Sequence, residues 1–80
     1  MARLRVKFTF PQELIKEPVI YEIGKRYNVI TNIRRADITA EVAWTILELD
    51  GERQEIDDAL AWVAGTGIRV DPVEDSILEG

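Results

Sequence analysis

Apolar and polar side chains alternate strictly through Leu4-Arg5-Val6-Lys7-Phe8-Thr9-Phe10. At a period of two, Leu4, Val6, Phe8 and Phe10 share one face of a strand, with Arg3, Arg5, Lys7 and Thr9 on the other. Pro11 has no donor for a ladder and ends the strand. The stretch to Glu17 reads as a loop whose Leu14 and Ile15 tuck over the core edge, and Pro18 suits the first turn of a helix. From Val19 to Tyr27 the apolar residues Val19, Ile20, Ile23 and Tyr27 recur at spacings of three and four, one buried stripe with Glu22, Lys25 and Arg26 outside.

Asn28 can stop this helix, and the β-branched run that follows predicts a second strand from Val29 to about Ala36. Asp37-Ile38-Thr39 is turn-like, and Val42 to Leu49 predicts a third strand closed by Asp50-Gly51. Glu52, Glu55, Asp57 and Asp58 crowd the first turns of the next helix, where orphan backbone N–H groups and the helix dipole favour negative charge. Its buried stripe is Ile56, Ala59, Leu60 and Val63, with Gly65 and Gly67 placed to end it. A last short strand, Ile68 to Asp71, is stopped by Pro72.

The order strand, helix, strand, strand, helix, strand, with a helix in each of two right-handed crossovers, is the ferredoxin-like α+β plan. It predicts a two-layer sandwich: a four-stranded antiparallel sheet with both helices on one face and the other face open. The expected organisation is one domain over residues 1–73 and an acidic C-terminal tail over 74–80, frayed but able to dock locally through Ile77 and Leu78.

Alternation then fixes the open face. With Leu4, Val6, Phe8, Leu47, Leu49, Ile33, Ile68 and Val70 toward the helices, it holds Arg3, Arg5 and Lys7, then Ile30, Asn32 and Arg34, then Val42, Trp44, Ile46 and Glu48, and finally Arg69. A patch of Val42, Trp44, Ile46 and Ile30 rimmed by cations predicts an interaction surface. Net charge sharpens the contrast. The 80 residues carry 10 basic and 15 acidic side chains, yet residues 1–40 hold eight basic and four acidic, and residues 41–80 two basic and eleven acidic.

Composition removes much chemistry. There is no Cys and no His, which excludes disulfides, thiol nucleophiles and thiolate metal sites, together with most histidine-based zinc and general-base chemistry. An RNA-recognition domain shares the element order, but the glycine and paired aromatics of its conserved strands are missing, and a net charge of −5 opposes phosphate binding. An acylphosphatase-like site would need a cradling loop with an arginine after the first strand, where Pro11-Gln12-Glu13 stands. Adjacent carboxylates at Asp57-Asp58 or Glu74-Asp75 diverge on a helix or are solvated. The expectation is a non-enzyme with no cofactor, no metal and no nucleic-acid partner. No apolar stretch approaches the ~20 residues of a membrane span, so a cytoplasmic location away from the membrane is expected.

Several segments resemble the NIL domain, named for an Asn-Ile-Leu run on its second strand. They are Tyr27-Asn28-Val29-Ile30-Thr31-Asn32-Ile33, the opening Leu4 to Phe10, Glu17-Pro18-Val19-Ile20, Ala36-Asp37-Ile38, the strand from Ala43-Trp44 to Asp50-Gly51, and the Ile56 to Val63 helix. The resemblance covers about residues 3–73. Asn32 and Ile33 match the first two signature residues, Arg34 stands where the signature has Leu, and Ala43 stands where Gly is common. The resemblance implies a ferredoxin-like fold, pairing of domains and a regulatory role. The family is best known as the C-terminal domain of methionine-importer ATPases, where methionine bound at paired domains restrains transport, and it also occurs fused to ferredoxins. With neither an ATPase nor a cluster-binding segment, the chain looks like a free-standing NIL domain.

The expected function is therefore regulatory: a homodimer binding an amino acid or methionine-like sulfur compound through Asn32, Ile33, Ile30, Arg34 and Trp44. Asn32 would orient the amino and carboxylate groups, since an amide offers two donors and two acceptor lone pairs, and Arg34 would pair with the carboxylate. The alternative is a ligand-free module that docks a separate transporter, ferredoxin or sulfur-metabolism enzyme through Val42, Trp44 and Ile46 or through the second-strand edge.

Overall fold

In a computed structural model, which describes residues 1–79 and the side chains of residues 1–73, the chain forms the ferredoxin-like α+β sandwich. Strand β1 (Ala2–Phe10) leads through a 3-10 turn (Gln12–Leu14) to helix α1 (Val19–Arg26). Strands β2 (Val29–Ile38) and β3 (Ala43–Gly51), helix α2 (Arg53–Gly65) and strand β4 (Arg69–Glu79) follow. The sheet has the order β2-β3-β1-β4, and all three pairings are antiparallel.

The period-two residues of β1 and β3 build the core floor. Leu4, Val6, Phe8, Leu47 and Leu49 are buried and meet Val19 and Ile23 of α1 and Ile56, Ala59 and Val63 of α2 in one cluster. Leu14 packs against its edge, as the loop reading expects. A backbone-to-carboxylate link ties the two crossovers together: Asn28 N–H donates to the Glu55 carboxylate at 2.8 Å. Glu55 thereby serves the turn into β2 as well as the first turn of its own helix.

Strands differ from expectation in three places. β2 runs to Ile38 instead of stopping near Ala36, because Thr39, not Asp37, makes the turn. Thr39 N–H donates to the Val42 carbonyl at 2.7 Å, and its hydroxyl accepts from Val42 N–H at 3.0 Å. Val42 consequently lies in the turn, ahead of β3. On the other side of the sheet, β4 starts at Arg69 and continues through Pro72 to Glu79. A proline breaks a central ladder but is tolerated on an edge strand or at a bulge. β4 is an edge, and its register against β1 shifts between Leu4 and Val6, where Val6 faces Pro72. The backbone of residues 74–79, expected to fray, continues the strand, with Ile77, Leu78 and Glu79 paired to β1.

Candidate functional site

The open face is built by side chains that β1 and β3 set opposite one another. Arg3 stands across from Asp50 and Arg5 across from Glu48, and each pair is closed. Arg3 Nε donates to Asp50 at 2.6 Å. Arg5 donates to one oxygen of Glu48 from its terminal nitrogen at 2.5 Å and from Nε at 3.1 Å. The hydrogen bond from Arg5 holds the Glu48 carboxyl below its ordinary value against the opposing effect of desolvation, with Arg5, Arg34 and Arg3 adding attraction through space. The hydrogen bond to Asp50 raises the Arg3 guanidinium. Farther along, the Lys7 ammonium sits 5.2 Å above the Trp44 ring, and Arg69 Nε donates to Asp71 at 2.8 Å.

These cross-strand partners change the patch predicted from alternation. Trp44 and Ile46 are only partly exposed, because long cationic side chains can lay apolar stems and charged ends over such a surface. Val42 and Ile30 remain 55% and 64% exposed, but they lie toward opposite ends. Ile30 pairs with Asp50, six positions along β3 from Trp44, or roughly 20 Å at the ordinary rise per residue. Within one chain, Ile30 and Trp44 do not surround a common cavity.

The centre of the face is shaped by a bulge in β2. Asn32 pairs with Glu48, Ile33 with Leu47 and Arg35 with Ile46, so the register shifts at Arg34. A bulge sets two residues of one strand against one of its partner and re-aims side chains. Asn32 and Ile33 keep to opposite faces, Ile33 on the helix side, where it is 54% exposed beyond the reach of the helices. The consecutive residues Arg34 and Arg35, which an unbroken strand would separate, both reach the open face. With Arg5, Ile46 and Val73 they line a cup of about 350 Å³. Sequence alternation placed Arg34 here but not Arg35, since no residue between Val29 and Ile38 marks where the extra position falls.

A second recess lies in the helix layer. Leu14, Val19, Glu22, Arg26, Trp62 and Thr66 are among the residues lining a groove of about 400 Å³. The Arg26 guanidinium lies 4.7 Å above the Trp62 ring and donates to Glu22 at 3.1 Å. The three-residue spacing from Ala59 to Trp62 was the available signal for this side chain at the edge of the buried stripe. Among the described residues, no group of three or more His, Cys, Asp or Glu side chains is arranged to hold a metal ion, and no helix is long and apolar enough to cross a membrane.

A four-stranded antiparallel sheet with both helices on one face and a charged, partly apolar opposite face defines a small α+β module of ferredoxin-like type. The family model of the NIL domain matches residues 4–72, and the chain belongs to the NIL domain family. Among solved structures, it is similar to the C-terminal domain of an ABC transporter ATP-binding protein from Enterococcus faecalis. That match has a TM-score of 0.79 and 24% identity, and covers 88% of this chain and 82% of that one. Comparison with curated proteins gives no match.

Proposed function

We propose that this chain is a non-enzymatic regulatory domain that pairs with a second copy of itself and senses an amino acid or methionine-like sulfur compound between the two. The observation that carries this reading is the outer edge of β2. This ten-residue strand lies at the sheet border, with Ile30, Ile33 and Ile38 each more than half exposed. A long edge strand with exposed apolar residues presents a row of unpaired backbone groups, a template for strand pairing. Residues directly opposite in an antiparallel pair share a face. In a regular strand of even length, full-length self-pairing about its centre would set residues of opposite faces against each other. The bulge at Arg34 removes that conflict. Val29 then meets Ile38, Thr31 meets Ala36, Ile30 meets Asp37 and Asn32 meets Arg35, each pair on one face.

Such pairing would place the Asn32-Ile33-Arg34 segments of both chains at the two-fold axis. Ile30 would lie beside the partner's Asp37, which is itself paired with Trp44. That is two strand spacings, about 10 Å, in place of the roughly 20 Å within one chain. The residues assigned to ligand binding would thus assemble only across the pair. Asn32 would orient the ligand's amino and carboxylate groups and Arg34 would pair with the carboxylate, while Ile30 and Trp44 hold its side chain. The similarity to a transporter ATPase's C-terminal domain supports a regulatory role and a position on the cytoplasmic side.

Sedimentation and thermal denaturation with a panel of amino acids test this. A ligand at a hundred times its dissociation constant stabilises by about 2.7 kcal/mol, a rise of about 10–20 °C for a domain of this size. Asn32→Ala should abolish the rise, and Ile33→Lys should give a monomer. A wild-type monomer at high concentration, or no amino acid shifting the transition at millimolar levels, defeats the proposal. The second reading, a ligand-free module docking a transporter, ferredoxin or sulfur-metabolism enzyme, is favoured by the exposure of Val42 next to Trp44. It requires that Trp44→Ala abolish capture of such a partner.

A further inference from the structure

The bulge in β2 gathers positive charge in a way that self-pairing does not require. Arg34 and Arg35 are consecutive, and both line one cup together with Arg5. Arg5 is engaged by Glu48, whereas among the described residues neither Arg34 nor Arg35 forms an ion pair within 4.0 Å. Among the described side chains at the cup, three guanidiniums stand against one carboxylate, in a chain whose net charge is −5. Like charges held together on a sheet repel, and a bulge forfeits regular ladder pairing at its extra residue. Both effects are offset when an oxyanion bridges the guanidiniums, because arginine presents a planar fork of donors that matches phosphate and carboxylate oxygens. The remaining lining is apolar, from Ile46 and Val73, and a volume of about 350 Å³ accommodates more than a bare tetrahedral ion.

We infer that the cup formed by Arg5, Arg34, Arg35, Ile46 and Val73 is a binding site for a small organic dianion. Its oxyanion group is held by Arg34 and Arg35, and its carbon body rests on Ile46 and Val73. All the lining residues come from one chain, so the site does not require self-pairing, although the pairing proposed above would bring Arg34 and Arg35 close to the two-fold axis. It also differs from the amino-acid reading in its ligand charge and in its dependence on Arg35. Arg5 is a positioning residue here: it holds the Glu48 carboxylate, which among the described residues forms no ion pair with Arg34 or Arg35. Charge count favours a phosphate monoester or a dicarboxylate over a zwitterionic amino acid, whose net charge is zero.

Titration of the 15N-labelled full chain with glycerol phosphate, succinate and inorganic phosphate, at ionic strength held constant with sodium chloride, tests the site. The expected result is saturable shifts of the backbone signals of Arg34, Arg35 and Ile46 with the two organic dianions, and weaker binding of inorganic phosphate, which cannot use the apolar wall. Arg35→Gln should weaken organic-dianion binding at least tenfold while leaving the rest of the spectrum folded. Ile46→Ser should narrow the gap between glycerol phosphate and inorganic phosphate. Phosphate salts also stabilise folded proteins by exclusion from their surface, so a rise in melting temperature is counted only where Arg35→Gln removes it. Linear, non-saturating shifts, or equal binding by wild type and Arg35→Gln, overturn the inference. Binding of inorganic phosphate as tight as that of glycerol phosphate overturns the role of the apolar wall.

Discussion

Two glycines should respond to alanine with opposite signs. Gly51 ends β3 where it pairs with Ala2 on one side and Val29 on the other. A Cβ there would stand 2.8 Å from the Asn28 carbonyl oxygen and 3.3 Å from a Val29 methyl. The nearer atom is backbone, anchored because the Asn28 amide is bonded to Glu55, so the strand end itself must move. Overpacking of this kind costs about 1–3 kcal/mol. Gly24 lies in α1 and faces open space, with nothing within 4 Å of an added Cβ. There alanine restores helix propensity and removes chain entropy from the unfolded state, a gain of about 0.5–1 kcal/mol. A domain of 80 residues has a total stability of about 4–12 kcal/mol, and each kcal/mol moves the midpoint by about 4–8 °C. Calorimetry should therefore show Gly51→Ala melting lower by about 4 °C at the least and by more than 20 °C at the upper end. Gly24→Ala should melt higher by about 2–8 °C. If Gly51→Ala melts at or above wild type, the strand end does not approach Asn28 so closely. If Gly24→Ala melts lower, its face is not free.

Two further predictions separate buried from exposed positions and charged from neutral ones. Ile23 is fully buried and Ile38 is 62% exposed. Ile23→Val should lose about 0.5–1.5 kcal/mol and Ile38→Val less than about 0.5 kcal/mol in urea unfolding at low protein concentration. A larger loss at Ile38 that grows with concentration would show that β2 is covered in solution. Glu48 is held below its ordinary carboxyl value by Arg5, so between its folded and unfolded values the unfolded chain binds the extra proton and stability rises with pH. Its contribution is fully present above the unfolded value of about 4.3 and is lost as pH falls through the lower folded value. Glu48→Gln should flatten this part of the acid limb in pH-dependent denaturation, and an unchanged slope would show that Arg5 does not hold the carboxylate.

The alternating residues of β1 and the three-and-four stripes of both helices were legible because burial on one face imposes a period on the sequence. Val6, Phe8, Ile23, Ile56 and Val63 are buried as those periods require. What escaped was information that resides in the partner strand. Pro72 reads as a terminator until one knows that β4 is an edge whose ladder is already interrupted opposite it. Arg3 and Arg5 read as available cations until the register sets Asp50 and Glu48 across from them. The same limit applies to the candidate site. Asn32 and Arg34 were placed correctly on the open face, while the approach of Arg35 depends on a register shift with no local sequence mark.

That register shift gives its own test, since a bulge residue is by definition the one a regular ladder can do without. Deleting Arg34 leaves Val29-Ile30-Thr31-Asn32-Ile33-Arg35-Ala36-Asp37-Ile38 between the same strand ends. Alternation then runs unbroken, with Val29, Thr31, Ile33, Ala36 and Ile38 on the helix side and Ile30, Asn32, Arg35 and Asp37 on the open side. Every remaining residue keeps the face it occupies now. Deleting Asn32 shortens the strand equally but, in the same straight ladder, turns Ile33 outward and Arg34 toward the helices, because a one-residue slip exchanges faces. Removing Arg34 should therefore change the unfolding free energy by less than about 1 kcal/mol, near the range of surface substitutions. Removing Asn32 should lower it by more, with unchanged denaturant dependence in both cases. If the Arg34 deletion is the more damaging of the two, the extra residue lies elsewhere in β2, and the convergence of Arg34 and Arg35 on one face fails with it.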